Sequence, residues 1–149
     1  MPRLDRRNRM TNIYPLAAPL GRVLLALIFI VSGLQKLGDP AGTAAHIASG
    51  GLPGILVWPT ILVEVVGGVL LAVGYQTRLA ALALAGFTLL AGVLYHLVPA
   101  GAAEGMAAQM QIISFMKNLS ITGGLLFVFA LGAGAWSVDA KGQAAPAAA

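Results

Sequence analysis

Residues 16–37 read LAAPLGRVLLALIFIVSGLQKL, and the fold turns on how this stretch is read. Between Arg22 and Lys36 lie 13 residues without a charge, about 20 Å of α-helix. A bilayer core is about 30 Å thick, and a helix needs about 20 apolar residues to cross it. The run lacks the strict alternation of a membrane barrel strand, and backbone in lipid must satisfy its hydrogen bonds within its own segment. The stretch is predicted to span a membrane as a helix. Similar runs follow at about 55–73, 79–98 and 112–136. The predicted fold is all-α, a four-transmembrane-helix membrane bundle.

Composition agrees. Of 149 residues, 58% are hydrophobic and 9% are charged, against about 25% charged in soluble domains. Mean hydropathy is +0.87. The absence of Cys excludes disulfides, thiolate metal sites, iron–sulfur clusters and a cysteine nucleophile. The net charge of +4 is no nucleic-acid footprint, because Arg3, Arg6, Arg7 and Arg9 gather ahead of the first span. Such a cluster anchors a first membrane helix on the cytoplasmic side.

The positive-inside rule then orders the chain. Residues 1–15 form a basic cytoplasmic tail, 16–137 a membrane domain, and 138–149 a disordered cytoplasmic tail. Arg78, in the short turn Gly74-Tyr75-Gln76-Thr77-Arg78, and Lys141 fall on the same side. The connections 38–54 and 99–111 carry no Lys or Arg and face outward. The predicted location is a bacterial inner membrane, crossed four times. A cleaved signal peptide fits the Arg-rich start loosely, but cleavage would discard Lys36.

The informative residues are polar ones within the spans. Glu64 falls inside the second span, where an ionised acid is costly unless it is paired or takes up a proton. Lys36 or Lys117 is predicted to lie within salt-bridge range of it. Arg22 is expected to reach the cytoplasmic headgroups. Gln111, Ser114, Asn118 and Thr122 recur at spacings of three and four, a stripe on one helical face that should turn inward. Gln35, Lys36, Glu64, His96, Lys117 and Asn118 all fall toward the outer ends of their spans and form the candidate binding or proton-handling cluster. Each has a structural alternative: Glu64 in a register-fixing ion pair, His96 as an interfacial residue, Asn118 as interhelical hydrogen-bond glue. Trp58, Tyr95 and Trp136 read as headgroup-level aromatics. His46 and His96 are the two histidines and share no metal-ligand spacing, so no metal site is expected. Gly67-Gly68 and Gly123-Gly124 read as close helix-packing sites.

Several motifs in order resemble the DoxX family of small bacterial membrane proteins. They are Gly21-Arg22 through Ser32-Gly33-Leu34-Gln35-Lys36, Glu64-Val65-Val66-Gly67-Gly68 with the turn ending Thr77-Arg78, and Lys117-Asn118-Leu119-Ser120 with Gly123-Gly124. The likeness runs over about residues 20–135. It implies a subunit or accessory of a membrane oxidoreductase system, and family members are linked with quinone chemistry. Three functional readings follow. In one, the cluster binds a quinone and handles protons, while a membrane or periplasmic oxidoreductase partner supplies electrons, because the chain carries no flavin or haem motif of its own. In the second, the protein is a non-catalytic scaffold embedded in the lipid bilayer. In the third, as a homo-oligomer, it carries a small solute or protons.

Overall fold

The computed structural model describes residues 14–143. Helix α1 spans Tyr14–Gly38, α2 Pro40–Ser49, α3 Val57–Val73 and α4 Thr77–Gly92. A π-helical turn, Val93–Leu97, carries α4 on to Ala100. Helix α5 spans Gly105–Leu131 and α6 Val138–Gln143. Four segments are long and apolar enough to cross a bilayer: Leu16–Gly38, Gly54–Val73, Thr77–Ala100 and Gly105–Leu131. A third or less of each is buried within the chain. The remaining faces carry exposed Leu, Val, Ile and Phe, as lipid-facing surfaces do.

Helix α1 packs along α3 and α4 along α5, while α3 and α4 join the two pairs. The central core is Ala26, Phe29, Leu71, Ala81, Leu84, Ala85 and Leu125. Close approach relies on glycine. A Cβ on Gly68 would come 2.8 Å from Cγ1 of Ile30, and one on Gly33 would come 2.6 Å from Cγ2 of Val65. Membrane helices associate through such small-residue contacts, because lipid removes the hydrophobic drive. Gly67 and Gly124 pack likewise against Leu84 and Leu25, whereas Gly123 meets nothing within 4 Å.

The structure departs from the sequence reading in four places. The connection 38–54 contains a helix. Asp39 caps α2 by accepting from the Gly42 N–H at 2.9 Å, and Pro40 opens its first turn. Ile47 then buries against Val57 and Ile61 in a second small core. The fourth membrane helix is Gly105–Leu131 rather than 112–136. Apolar composition continues past Leu131, but Gly132 and Gly134 adopt φ of 86° and 71° and end the helix. In the expected disordered tail, residues 138–143 are helical, and 144–149 lie outside the described residues, as does the basic stretch 1–13.

The fourth departure is Arg22, which is buried against the chain at 3% exposure instead of extending freely from the helix. Its guanidinium donates to the carbonyls of Ala72 (3.3 Å), Ala133 and Trp136 (3.1 Å). Those carbonyls lie at the end of α3 and in the chain leaving α5, where helical partners run out. Arg78 donates similarly to Ala130 O at 3.4 Å. Asp139 of α6 accepts from the backbone N–H of Gln76 (2.9 Å) and Thr77 (3.0 Å), filling the vacant donors that start α4. The Arg22 end of the bundle is thus closed by polar contacts among chain ends. The chemistry collects at the other end.

Candidate functional site

Lys36 and Glu64 meet across α1 and α3, as predicted. Nζ of Lys36 lies 2.8 Å from Oε2 of Glu64 and donates to Oε1 at 3.0 Å. Ser32, one turn before Lys36, donates to Glu64 Oε1 at 3.1 Å and accepts from Lys36 Nζ at 2.5 Å. Four-residue spacing puts Ser32 and Lys36 on one face of α1. Gly33, between them, brings α3 close enough for the contact. Glu64 is 4% exposed. Oε2 is close to the ammonium but receives no aligned hydrogen bond, so it keeps capacity to accept one.

The pair forms part of the wall of a cavity of about 460 Å³, within the usual range for small-molecule sites. All the spans and α2 contribute to its lining. Phe29, Val63, Phe87 and Ile121 make much of it apolar. Among the polar residues, His96, Lys117 and Asn118 line it with Lys36 and Glu64, so five of the six candidates share one space. Gln35 is exposed and does not line it. One position before Lys36, its side chain leaves α1 about 100° away.

The sequence reading placed Lys117 and Asn118 near an outer helix end. In the structure Lys117 stands twelve residues past Gly105 and fourteen before Leu131, at the middle of α5. Its side chain is exposed, and on a lipid-facing surface near the bilayer centre a lysine costs about 2.5–3.5 kcal/mol even on the most lenient scale. Asn118 sits against Gly92, where a Cβ would come 3.0 Å from the asparagine Cβ. The stripe Gln111, Ser114, Asn118 and Thr122 does turn inward: Thr122 is buried and the others are half-buried.

Four lining residues were not assigned to the site from sequence. Thr88 is 5% exposed, and its Oγ1 has no partner among the described residues. Ser32 bridges the ion pair. His46 and Tyr95 stack with ring centroids 4.6 Å apart, and the Tyr95 hydroxyl donates to Ile47 O at 3.3 Å. Tyr95 therefore faces the cavity. The signal that placed it is Pro99, which has no N–H for the Tyr95 carbonyl and clashes with it. The helix widens, with Val98 N–H bonding back to Val93 O, and Leu94, Tyr95 and His96 all reach the cavity wall. Nδ1 of His96 is 2.8 Å from Oε1 of Gln111. No cluster of three metal-ligating side chains exists among the described residues.

These features define a multi-pass membrane protein whose helices line a largely apolar, partly open cavity with an ion pair in its wall. Comparison with known proteins narrows the class. The DoxX family profile matches residues 17–97, more than half of the chain, and the chain belongs to the DoxX family. It is 38% identical over 130 residues to "Inner membrane protein YqjF" of Escherichia coli strain K12, covering 87% of this chain and 95% of that one. It is 31% identical over 129 residues to "Inner membrane protein YphA" of the same strain, covering 85% and 91%. A shorter likeness, 34% over 70 residues, links it to "Putative oxidoreductase CatD" of Bacillus subtilis strain 168, covering 47% and 52%. No solved structure matches the chain. The protein is a DoxX-family inner membrane protein.

Proposed function

We propose that this protein is a subunit or accessory of a membrane oxidoreductase system, and that its cavity binds a quinone. The observation that carries the reading is the Lys36–Glu64–Ser32 cluster, with Glu64 buried, in the wall of a largely apolar space of about 460 Å³. A quinone is an apolar ring with two oxygens that need hydrogen-bond donors and, on reduction, protons. Lys36 donates to one ring oxygen. Glu64, ion-paired with Lys36, takes or returns a proton beside it. The chain has no Cys, and electrons pass to or from a partner oxidoreductase. The likeness to a protein named as an oxidoreductase over about half of both chains favours this class. An even number of spans and the Arg-rich start support an orientation with both termini in the cytoplasm, by the positive-inside rule. The cavity then lies in the outer half of the bundle.

The test is mass spectrometry of lipids retained by the protein in nanodiscs, for wild type and Glu64→Gln. Stoichiometric quinone on wild type, lost from a folded Glu64→Gln protein, is the expected result. No enriched quinone on either protein overturns the reading and leaves the scaffold role in its place.

A further inference from the structure

Lys117 has no carboxylate within salt-bridge range among the described residues. It stands at mid-length on α5, is exposed on the surface of the chain, and lines the mouth of the same cavity as the ion pair. Glu64 on α3 is the one carboxylate in the lining, and Lys36 on α1 already holds it. Among the described residues that pair is the one salt bridge. The remaining titratable groups on the wall are His46 on α2 and Tyr95 and His96 on α4. His46 stacks on Tyr95 and His96 bonds Gln111; protonating either histidine would only add positive charge. With the histidines neutral, the lining carries two ammonium groups against one carboxylate, a net charge of +1. In apolar surroundings such an excess favours an anion strongly.

Two further observations point to an occupant. Thr88, on the same wall and 5% exposed, has a hydroxyl with no partner among the described residues, and the half-buried Asn118 also lines that wall. Both can donate to an anionic oxygen. The cavity also reaches the lipid-facing surface. Ile28 on α1 and Leu90 on α4 line it while remaining 41% and 57% exposed. A chain attached to the anionic group has an apolar route out to the hydrocarbon.

We propose that this cavity binds an acidic amphiphile, its anionic oxygen paired with Lys117 and its apolar tail leaving toward the bilayer past Ile28 or Leu90. The proposal rests on the cavity being a ligand site, but not on a quinone being the ligand at Lys36 and Glu64. The same chemistry comes from a free fatty acid or from an acidic phospholipid.

The experiment uses the full chain, stripped of lipid in a neutral detergent and titrated by native mass spectrometry. The probes are oleate and dioleoyl phosphatidylglycerol, with oleyl alcohol and dioleoyl phosphatidylcholine as their uncharged and zwitterionic counterparts. Either acidic probe is expected to bind one to one, about tenfold or more tighter than its counterpart. Lys117→Met should remove that preference and Lys117→Arg should keep it. Preference for oleate identifies a free acid as the source, and preference for phosphatidylglycerol a phospholipid. Equal binding of oleate and oleyl alcohol, together with no preference for phosphatidylglycerol, overturns the proposal on wild type alone. Undiminished acidic-probe binding by folded Lys117→Met also overturns it. Glu64→Gln removes the one carboxylate in the lining, so acidic-probe binding should persist or tighten while quinone binding is lost, and failure of the quinone reading and failure of this one are separable.

Discussion

The Lys36 ammonium lies 2.8 Å from Oε2 of Glu64, and the Ser32 hydroxyl is hydrogen-bonded to both partners. The contact joins α1 to α3 within the membrane-spanning region, beside a cavity. Its two members are not equally covered, with side chains 26% and 6% exposed. Removing Lys36 therefore strands the more deeply buried charge. Lys36→Met should destabilise the protein toward the low end of the range for broken buried pairs, about 3 kcal/mol, because Lys36 keeps some access to solvent. Replacing both residues together, Lys36→Met with Glu64→Leu, should come close to neutral. Unfolding in mixed detergent micelles, read as a double-mutant cycle, measures the difference. Additive single and double effects would show that the pair contributes no coupling.

At the other end of the bundle, Arg22 is held by geometry as much as by charge. Its Nε and both Nη groups reach carbonyls on two separate segments, at Ala72, Ala133 and Trp136. A lysine has one ammonium and cannot reproduce that planar fork. Arg22→Lys is expected to lose most of what Arg22→Ala loses, about 2–4 kcal/mol, through carbonyls left without donors. The same unfolding assay checks it. Full recovery by lysine would mean that charge alone is what the site needs.

Much of this arrangement was legible in the sequence, for identifiable reasons. Long apolar runs give spans because lipid leaves the backbone no other solution, and a lone Glu64 among them calls for a partner. The four-residue spacing of Ser32 and Lys36 fixed their shared face. Hydropathy could not find the end of α5, since Gly132 and Gly134 stop the helix through backbone conformation while the apolar run continues. That shift moved Lys117 from an expected helix end to mid-helix. Arg22 was misplaced because its partners, Ala133 and Trp136, are backbone carbonyls over 100 residues away. Helix α2 was missed although Asp39-Pro40 is a helix-start signal. A ten-residue helix in a membrane-protein connection leaves little mark on a hydropathy profile.

Asp139 gives the fold a pH-dependent latch. The backbone N–H of Thr77 is the main influence holding its carboxyl below the ordinary aspartate range, with smaller help from Gln76 N–H and the Arg22 charge. A depressed carboxylate contributes fully above its unfolded pKa of about 4, and the contribution is lost as pH falls below that through the depressed value. Hydrogen exchange at the Gln76 and Thr77 amides reports on it. Protection should hold from neutral pH down to about 4 and then fall ahead of that in the helix cores. Asp139→Ala should expose both amides at neutral pH. Equal protection in Asp139→Ala and wild type would show that α6 does not cap α4.

Pro99 is expected to trade stability for the shape of the cavity. It removes one helical donor and forces the wide turn at Val93–Leu97, with Val98 N–H bonding to Val93 O. Pro99→Ala restores the missing N–H and lets the turn relax to α-helix. Annealing removes one residue's worth of rotation, about 100°, between the two sides of the turn. Leu94, Tyr95 and His96 cannot then all keep their places on the wall, and the contact of His96 Nδ1 with Gln111 Oε1 should break. The variant should be more stable than wild type by roughly 1–3 kcal/mol, the cost of an interior proline less the lost cavity contacts. It should also bind cavity ligands more weakly. Side-chain ¹⁵N NMR of His96 and the unfolding assay test both halves. A variant that gains stability with the His96 signals unmoved would show that the wide turn is set by packing against α5 rather than by the proline.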